Sequence, residues 1–163
     1  MKLSLTLAAT LFAGLLSSTA NAVTDTVTIN LSGTLTRPPC NLTSSKTLTA
    51  NFGSLRYDQV ADAALIDIPL TMTCPANSVL AVSILAARTI QGSTTQASTG
   101  KTNLANSLLW NSDSTAANVT GVKRNLTNQS GTVDLSMKAK LIAQGALTEG
   151  AFSTSAVISI EYL

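Results

Sequence analysis

Two stretches that alternate strictly between apolar and polar residues, one near each end, constrain this chain more than any other feature. Across 23–36, Val23, Val27, Ile29, Leu31, Gly33 and Leu35 occupy odd positions, set against Thr24, Thr26, Thr28, Asn30, Ser32, Thr34 and Thr36. Across 150–163, Phe152, Ala156, Ile158, Ile160 and Tyr162 fall on even positions, while Ser153, Ser155, Ser159 and Glu161 fall on odd ones. A period of two sends one face toward a core and the other toward water, so each stretch reads as a β-strand. A strand needs neighbours for its backbone groups and for its apolar face. The first stretch has no evident partner, which points to a chain that completes a sheet in another molecule.

Residues 1–22 read as a leader rather than as part of the fold. Lys2 supplies a positive start, Leu3 to Leu16 is a mostly apolar run, and Ala20-Asn21-Ala22 is a small-x-small cleavage signature. The run is too short for a membrane helix and lacks a stop-transfer flank. Cleavage after Ala22 leaves the length of one ordinary domain, exported and with no membrane insertion.

Cysteine usage agrees with export. Cys40 and Cys74 are the two cysteines, and an even count in an oxidising compartment reads as one disulfide. It would close a loop of about 35 residues and contribute roughly 3–4 kcal/mol in the chain-entropy picture. The other uses of such a pair are a metal site or a reactive thiol. The chain has no histidine and no second cysteine pair, so a metal site is disfavoured.

The body between these landmarks reads as all-β. Ile66, Ile68, Leu70, Met72 and Cys74 alternate, with Pro69 on the opposite parity, as expected of a strand with one free edge. Val79 to Leu85 is a continuous apolar run, read as a strand buried on both faces. Residues 91–103 form a polar loop, Leu104 to Trp110 a further strand, and 111–117 another loop. Val133, Leu135, Met137, Ala139, Leu141 and Ala143 make the cleanest internal strand, and Gly145 to Gly150 turns the chain into the last one. Asp58 to Ala64 allows one short helical turn. Short strands separated by turn signals imply a sandwich.

The chemistry of catalysis is missing from the composition. Without histidine the common general base and the Ser-His and Cys-His pairs are absent. The eight Asp and Glu residues form no paired-carboxylate motif; Asp58 and Asp62 are explained by a polar turn. Ten Lys and Arg residues are spread thinly, and Lys123-Arg124 and Lys138/Lys140 are too small for a nucleic-acid footprint. The N-x-S/T triplets at Asn41, Asn118, Asn125 and Asn128 are expected by chance in so polar a chain. Neither an enzyme, a cofactor nor a bound metal is expected.

In combination these features resemble a pilin subunit of the chaperone–usher fimbriae of Gram-negative bacteria. The match is carried by the alternating Val27-Thr-Ile-Asn-Leu-Ser-Gly-Thr-Leu35 with its internal Gly33, by Arg37-Pro-Pro-Cys40, and by Leu70-Thr-Met-Thr-Cys74. Gly150 and the final strand with its penultimate Tyr162 complete it. The resemblance implies a type 1 fimbria-like minor or adaptor subunit, an incomplete immunoglobulin-like β-sandwich with one disulfide, completed by a donor strand from another subunit. It divides the chain into a leader (1–22), a donor extension (23–36) and a sandwich domain (37–163). Val27, Ile29, Leu31, Gly33 and Leu35 would be the donating residues. Gly150, Phe152, Ala156, Ile158, Ile160, Tyr162 and Leu163 would face a periplasmic chaperone, which in the family also grips the terminal carboxylate. An outer-membrane usher would then exchange the chaperone strand for that of a neighbouring pilus subunit, placing the protein in a fimbrium at the cell surface. Gly33 would meet a shallow place in the acceptor groove. The paired prolines at 38 and 39 depart from a single-proline junction and stiffen it.

The rival reading is a secreted, monomeric β-sandwich that binds carbohydrate or a surface, with Trp110 and Tyr57 as the aromatic contacts.

Overall fold

The computed structural model describes residues 25–36 and 38–163. The expected leader, Val23, Thr24 and Arg37 lie outside the described residues. Contacts divide the chain after Leu35 into two units, each taken by itself. In the first, residues 25–35 belong to no helix or strand.

Among its described residues the second unit is a sandwich of eight strands: β1 (Asn41–Leu42), β2 (Ile66–Ile68), β3 (Thr71–Ala86), β4 (Ala97–Ser98), β5 (Leu104–Trp110), β6 (Arg124–Asp134), β7 (Met137–Ala143) and β8 (Ala156–Tyr162). A short 3₁₀ turn spans Tyr57–Asp62, overlapping the turn expected at 58–64. One sheet has the order β2-β7-β5-β4, and the other is built on β3. Every strand pair is antiparallel.

The long strand β3 organises its sheet through both edges. Leu80 pairs with Leu126 of β6 and with Tyr162 of β8, so β6 and β8 flank β3 on opposite sides. Met72 pairs with Val133 of β6 and with Leu42 of β1, which puts β1 on the same edge as β8. That edge of β3 is therefore shared by two separate segments, β1 near Met72 and β8 from Leu80 onward.

Two of the expected strands prove to be pairs of strands in different sheets. The run Ile66–Cys74 breaks after Ile68: β2 pairs with β7, whereas β3 begins at Thr71 and pairs with β6. The run 133–143 breaks at Leu135–Ser136, with β6 before it and β7 after it. Both breaks occur side by side. The Leu70 amide donates to Ser136 Oγ at 3.0 Å, and the Leu135 amide donates to the Leu70 carbonyl at 2.8 Å. Pro69 has no N–H to give to a ladder, which makes it a natural place for the chain to leave one sheet. The alternation nevertheless persists through both crossings. Leu70, Met72, Cys74, Val133, Leu135, Met137, Ala139 and Leu141 are all buried, because the two sheets face the same interior.

Two further differences from the sequence reading have simple causes. Val79–Leu85 is no separate strand buried on both faces; it is the second half of β3, reached through register slips between Cys74 and Leu80. Its outer face carries Leu85, 57% exposed. Strand β6 was not anticipated, because only Leu126 and Val133 of its Arg-Asn-Leu-Thr-Asn-Gln-Ser-Gly-Thr-Val-Asp sequence are apolar. It is an edge strand whose polar side chains face water.

The main core gathers Met72, Leu80, Val82, Ile84, Trp110, Val119 and Met137. A smaller cluster of Val60, Leu104 and Leu141, with Phe52, Leu147 and Phe152 against it, fills one end. Cys40 and Cys74 are joined in a disulfide that ties the entry of β1 to β3.

Replacing both cysteines by alanine is expected to lower stability by about 3 kcal/mol, read as a shift in urea midpoint of the secreted chain, because the 34-residue separation would no longer be closed in the unfolded state. A second expectation concerns acid. Hydrogen bonds from the Ser136 side chain and then its amide hold the Asp134 carboxyl below the usual range. That stabilisation is complete above the ordinary Asp range and is lost as pH falls toward the folded value. Asp134→Asn should therefore flatten part of the decline in urea midpoint between about pH 7 and pH 3.

Candidate functional site

Strand β8 is paired along one edge only. Residues Ala156 to Tyr162 match Ala86 to Leu80 of β3 in unbroken register, and the ladder extends by the Leu163 amide donating to the Val79 carbonyl. Among the described residues no strand pairs with the opposite edge of β8. A free strand edge presents a row of unpaired N–H and C=O groups, a template for an added strand.

A second segment runs along the other lip of this opening. Leu48, Ala50 and Phe52 are half-buried and pack against the main core, while Thr47, Thr49 and Asn51 point outward. The segment is extended in its side-chain pattern yet belongs to neither sheet. Sequence reasoning missed it, although the period-two signal in Thr47-Leu-Thr-Ala-Asn-Phe52 was available. Its start is fixed by β1, which sits at Met72 and Thr73 of β3. Its far end is fixed by Phe52, whose ring lies 6.4 Å from that of Phe152, just ahead of β8.

The two lips therefore enclose a seam over the interior. From one side come Leu42, Leu48, Ala50 and Phe52, and from the other Ile158 and Ile160, all half-buried against the core. Half-burial on the inward face of a strand means that the interior is covered incompletely there. The apolar surface that remains is worth covering at about 25 cal/mol per Å².

The sequence-derived site residues distribute as follows. Ile158 and Ile160 face the seam, whereas Ala156, Tyr162 and Leu163 are exposed. Gly150 and Phe152 are not in the strand, which starts only at Ala156. Gly150 sits in a bend with φ +133°, and a Cβ there would come within 2.8 Å of Lys101 Nζ. Phe152 lies half-buried in the smaller cluster. Val27, Ile29, Leu31 and Leu35 are 86, 78, 92 and 102% exposed. Gly33 has no atom within 4 Å of where a Cβ would stand, and its φ is not in the left-handed region. Nothing in its surroundings requires a glycine.

The aromatic residues of the rival reading are not brought together. Trp110 is 7% exposed and is covered by the Arg124 guanidinium, 4.9 Å from its ring centroid and held by Asp113 at 2.9 Å. Tyr57 lines a hollow of about 230 Å³ with Val60, Leu104 and Phe152. Leu104 and Trp110 are the two ends of β5, roughly 20 Å apart at the rise of a strand. No cluster of metal-ligating side chains occurs among the described residues.

With this geometry in hand, the architecture has counterparts among solved structures. The P pilus rod subunit PapA superposes with a TM-score of 0.65 over 77% of this chain and 100% of its own, at 19% identity. This is the pilin fold. A subunit from a chaperone–usher pilus whose structure was used to explain rod uncoiling gives 0.64 at 18% identity, covering 85% of this chain and 96% of that one. The P pilus adaptor subunit PapF gives 0.55 at 21% identity, covering 78% and 98%. No protein-family model and no curated protein matches the sequence. The pilin fold is an incomplete immunoglobulin-like sandwich, all-β with two open sheets, and here it carries the Cys40–Cys74 bridge.

The two faces of β8 should respond differently to substitution. Ile160→Ala is expected to lower the unfolding free energy of the secreted chain by about 1–2 kcal/mol, read from the shift in its urea midpoint, less than a fully buried isoleucine would cost. Val157→Thr, on the exposed outer face, should stay within about 0.5 kcal/mol of the parent.

Proposed function

We propose that this chain is a structural subunit of a chaperone–usher fimbria, polymerised by donor-strand exchange and contributing to cell adhesion. The observation that carries this reading is a complementary pair. One is a seam with an unpaired β8 edge and half-covered Ile158 and Ile160. The other is a segment whose apolar alternation at Val27, Ile29, Leu31 and Leu35 is largely exposed.

Filling the seam with such side chains contributes on the order of 8–15 kcal/mol before the cost of ordering the strand. That is as large as the whole stability of a small domain. A subunit of this kind depends on a strand supplied in trans. A periplasmic chaperone lends the first one against the β8 edge, including Ile158, Ile160 and Tyr162. An outer-membrane usher then directs its replacement by residues 23–36 of the next subunit. Gly33 supports this assignment, because its own subunit gives it no reason to lack a side chain. In this reading 1–22 directs export, 23–36 donates, 37–163 accepts, and the fibre stands on the cell surface. The place in the fibre we propose is that of a minor, adaptor-type subunit.

Deleting residues 23–36 should leave a subunit that still binds the chaperone and accepts a strand but adds nothing onward, seen as loss of ladder formation on gels of unboiled fibres. Gly33→Arg should slow or block incorporation with the sandwich still folded by circular dichroism. Normal polymerisation of either variant would defeat the assignment of the donor segment.

A further inference from the structure

One end of the seam opens into a hollow. Phe52 closes one lip, and Leu55 and Tyr57 follow it within five residues. Phe152 precedes the first residue of β8 by four, with Leu147 before it. Leu55, Tyr57, Leu147 and Phe152 line an opening of about 230 Å³, with the buried Val60 and Leu104 also in its wall. The ring contact between Phe52 and Phe152 places this opening where the two lips meet. Most of the charge at its rim is already engaged. Arg56 pairs with Asp58 at 2.6 Å, and Lys101 Nζ donates to the Glu149 carbonyl. Tyr57 and Leu55, by contrast, are 56 and 38% exposed. The hollow therefore suits an uncharged apolar occupant that can lie on a tyrosine ring.

A second copy of this chain carries such a group at a fixed distance. Pro38 and Pro39 stand between Leu35, the last apolar residue of the donor alternation, and Cys40. Both prolines are exposed, whereas Cys40 is buried and bonded to Cys74. The five steps from Leu35 to Cys40 span at most about 17 Å. The donor's body must then begin close to where its strand leaves the acceptor's seam. All pairs in the sandwich are antiparallel, and a strand antiparallel to β8 leaves beside Ala156, the first residue of β8. With Leu35 opposite Ala156, Pro38 and Pro39 stand opposite Ser153 and Phe152. Neither proline can extend a ladder, and no ladder continues there. Phe152 and Ser153 precede β8, and the Ser153 amide donates to the Thr99 carbonyl. We propose that the hollow seats the Pro38-Pro39 step of the next subunit, with a proline ring against Tyr57. Consecutive prolines are extended before they bind, so docking on an aromatic side chain costs little ordering entropy. This inference rests on the strand-exchange reading, and it makes the joint between subunits a seated contact rather than a free tether.

The test uses the full secreted chain as acceptor, refolded with synthetic amidated peptides of residues 23–36 or 23–39. Affinity is read by competition with labelled 23–36 peptide. On the parent acceptor the longer peptide should bind about tenfold or more tighter than the shorter one. That gain should fall to about threefold or less when the peptide carries Pro38→Ala with Pro39→Ala, and equally when the acceptor carries Tyr57→Ala. An acceptor with Tyr57→Phe, which keeps the ring, should retain the gain. Leu55→Ser on the acceptor provides the same comparison if the alanine variant does not fold. Equal affinity of the two peptides for the parent acceptor overturns the docking site and leaves strand exchange standing. A gain that survives either alanine change does the same. Failure of the 23–36 peptide to bind the parent acceptor removes strand exchange itself, and this inference with it.

Discussion

A half-covered interior along one side of the sandwich is the constraint from which the other features of this molecule follow. Strand β3 offers two edges. One is filled by β6 over most of its length, and the other is divided between the two residues of β1 and the seven of β8. Beyond β8 the sheet stops. The opposing lip, Leu48 to Phe52, contributes side chains to the core but joins no sheet. An unpaired strand edge therefore lies beside half-covered apolar side chains, and such an edge is open to an added strand.

Three contacts anchor these segments in place. The disulfide anchors the start of the outer lip at Cys74 of β3. The Phe52–Phe152 contact anchors its far end to the approach of β8. The Leu70–Ser136 crossing locks the two sheets together where both segments change sheet. Each is a point at which the two segments are fixed by a bond or a packed ring.

Much of this was legible in the residues. The alternation at 66–74, 133–141 and 158–160 named side chains that do lie against the interior, whereas Ala143, Ala156 and Tyr162 at the ends of the runs are exposed, and the cysteine count correctly gave a bridge. What period two cannot report is which sheet a strand belongs to. A residue facing inward from either sheet has the same polarity, so Ile66–Cys74 and 133–143 look like single strands while each bends across the sandwich. The polar strand β6 was silent for the opposite reason: an edge strand with water on one side needs few apolar residues, and its position is decided by the ladder with β3.

The sequence alone determined which faces seek burial, where the chain is covalently tied, and that one apolar segment, 27–35, lies beyond the cysteine-bounded body. Those are local properties, set by side-chain chemistry at fixed spacing. Only the tertiary structure decided that β8 has one bare edge, that 48–52 packs against the core without joining either sheet, and that Trp110 lies beneath Arg124. Each of these depends on which distant residues end up adjacent, and adjacency across a sandwich is chosen by the packing of the whole core rather than by any stretch of chain within it.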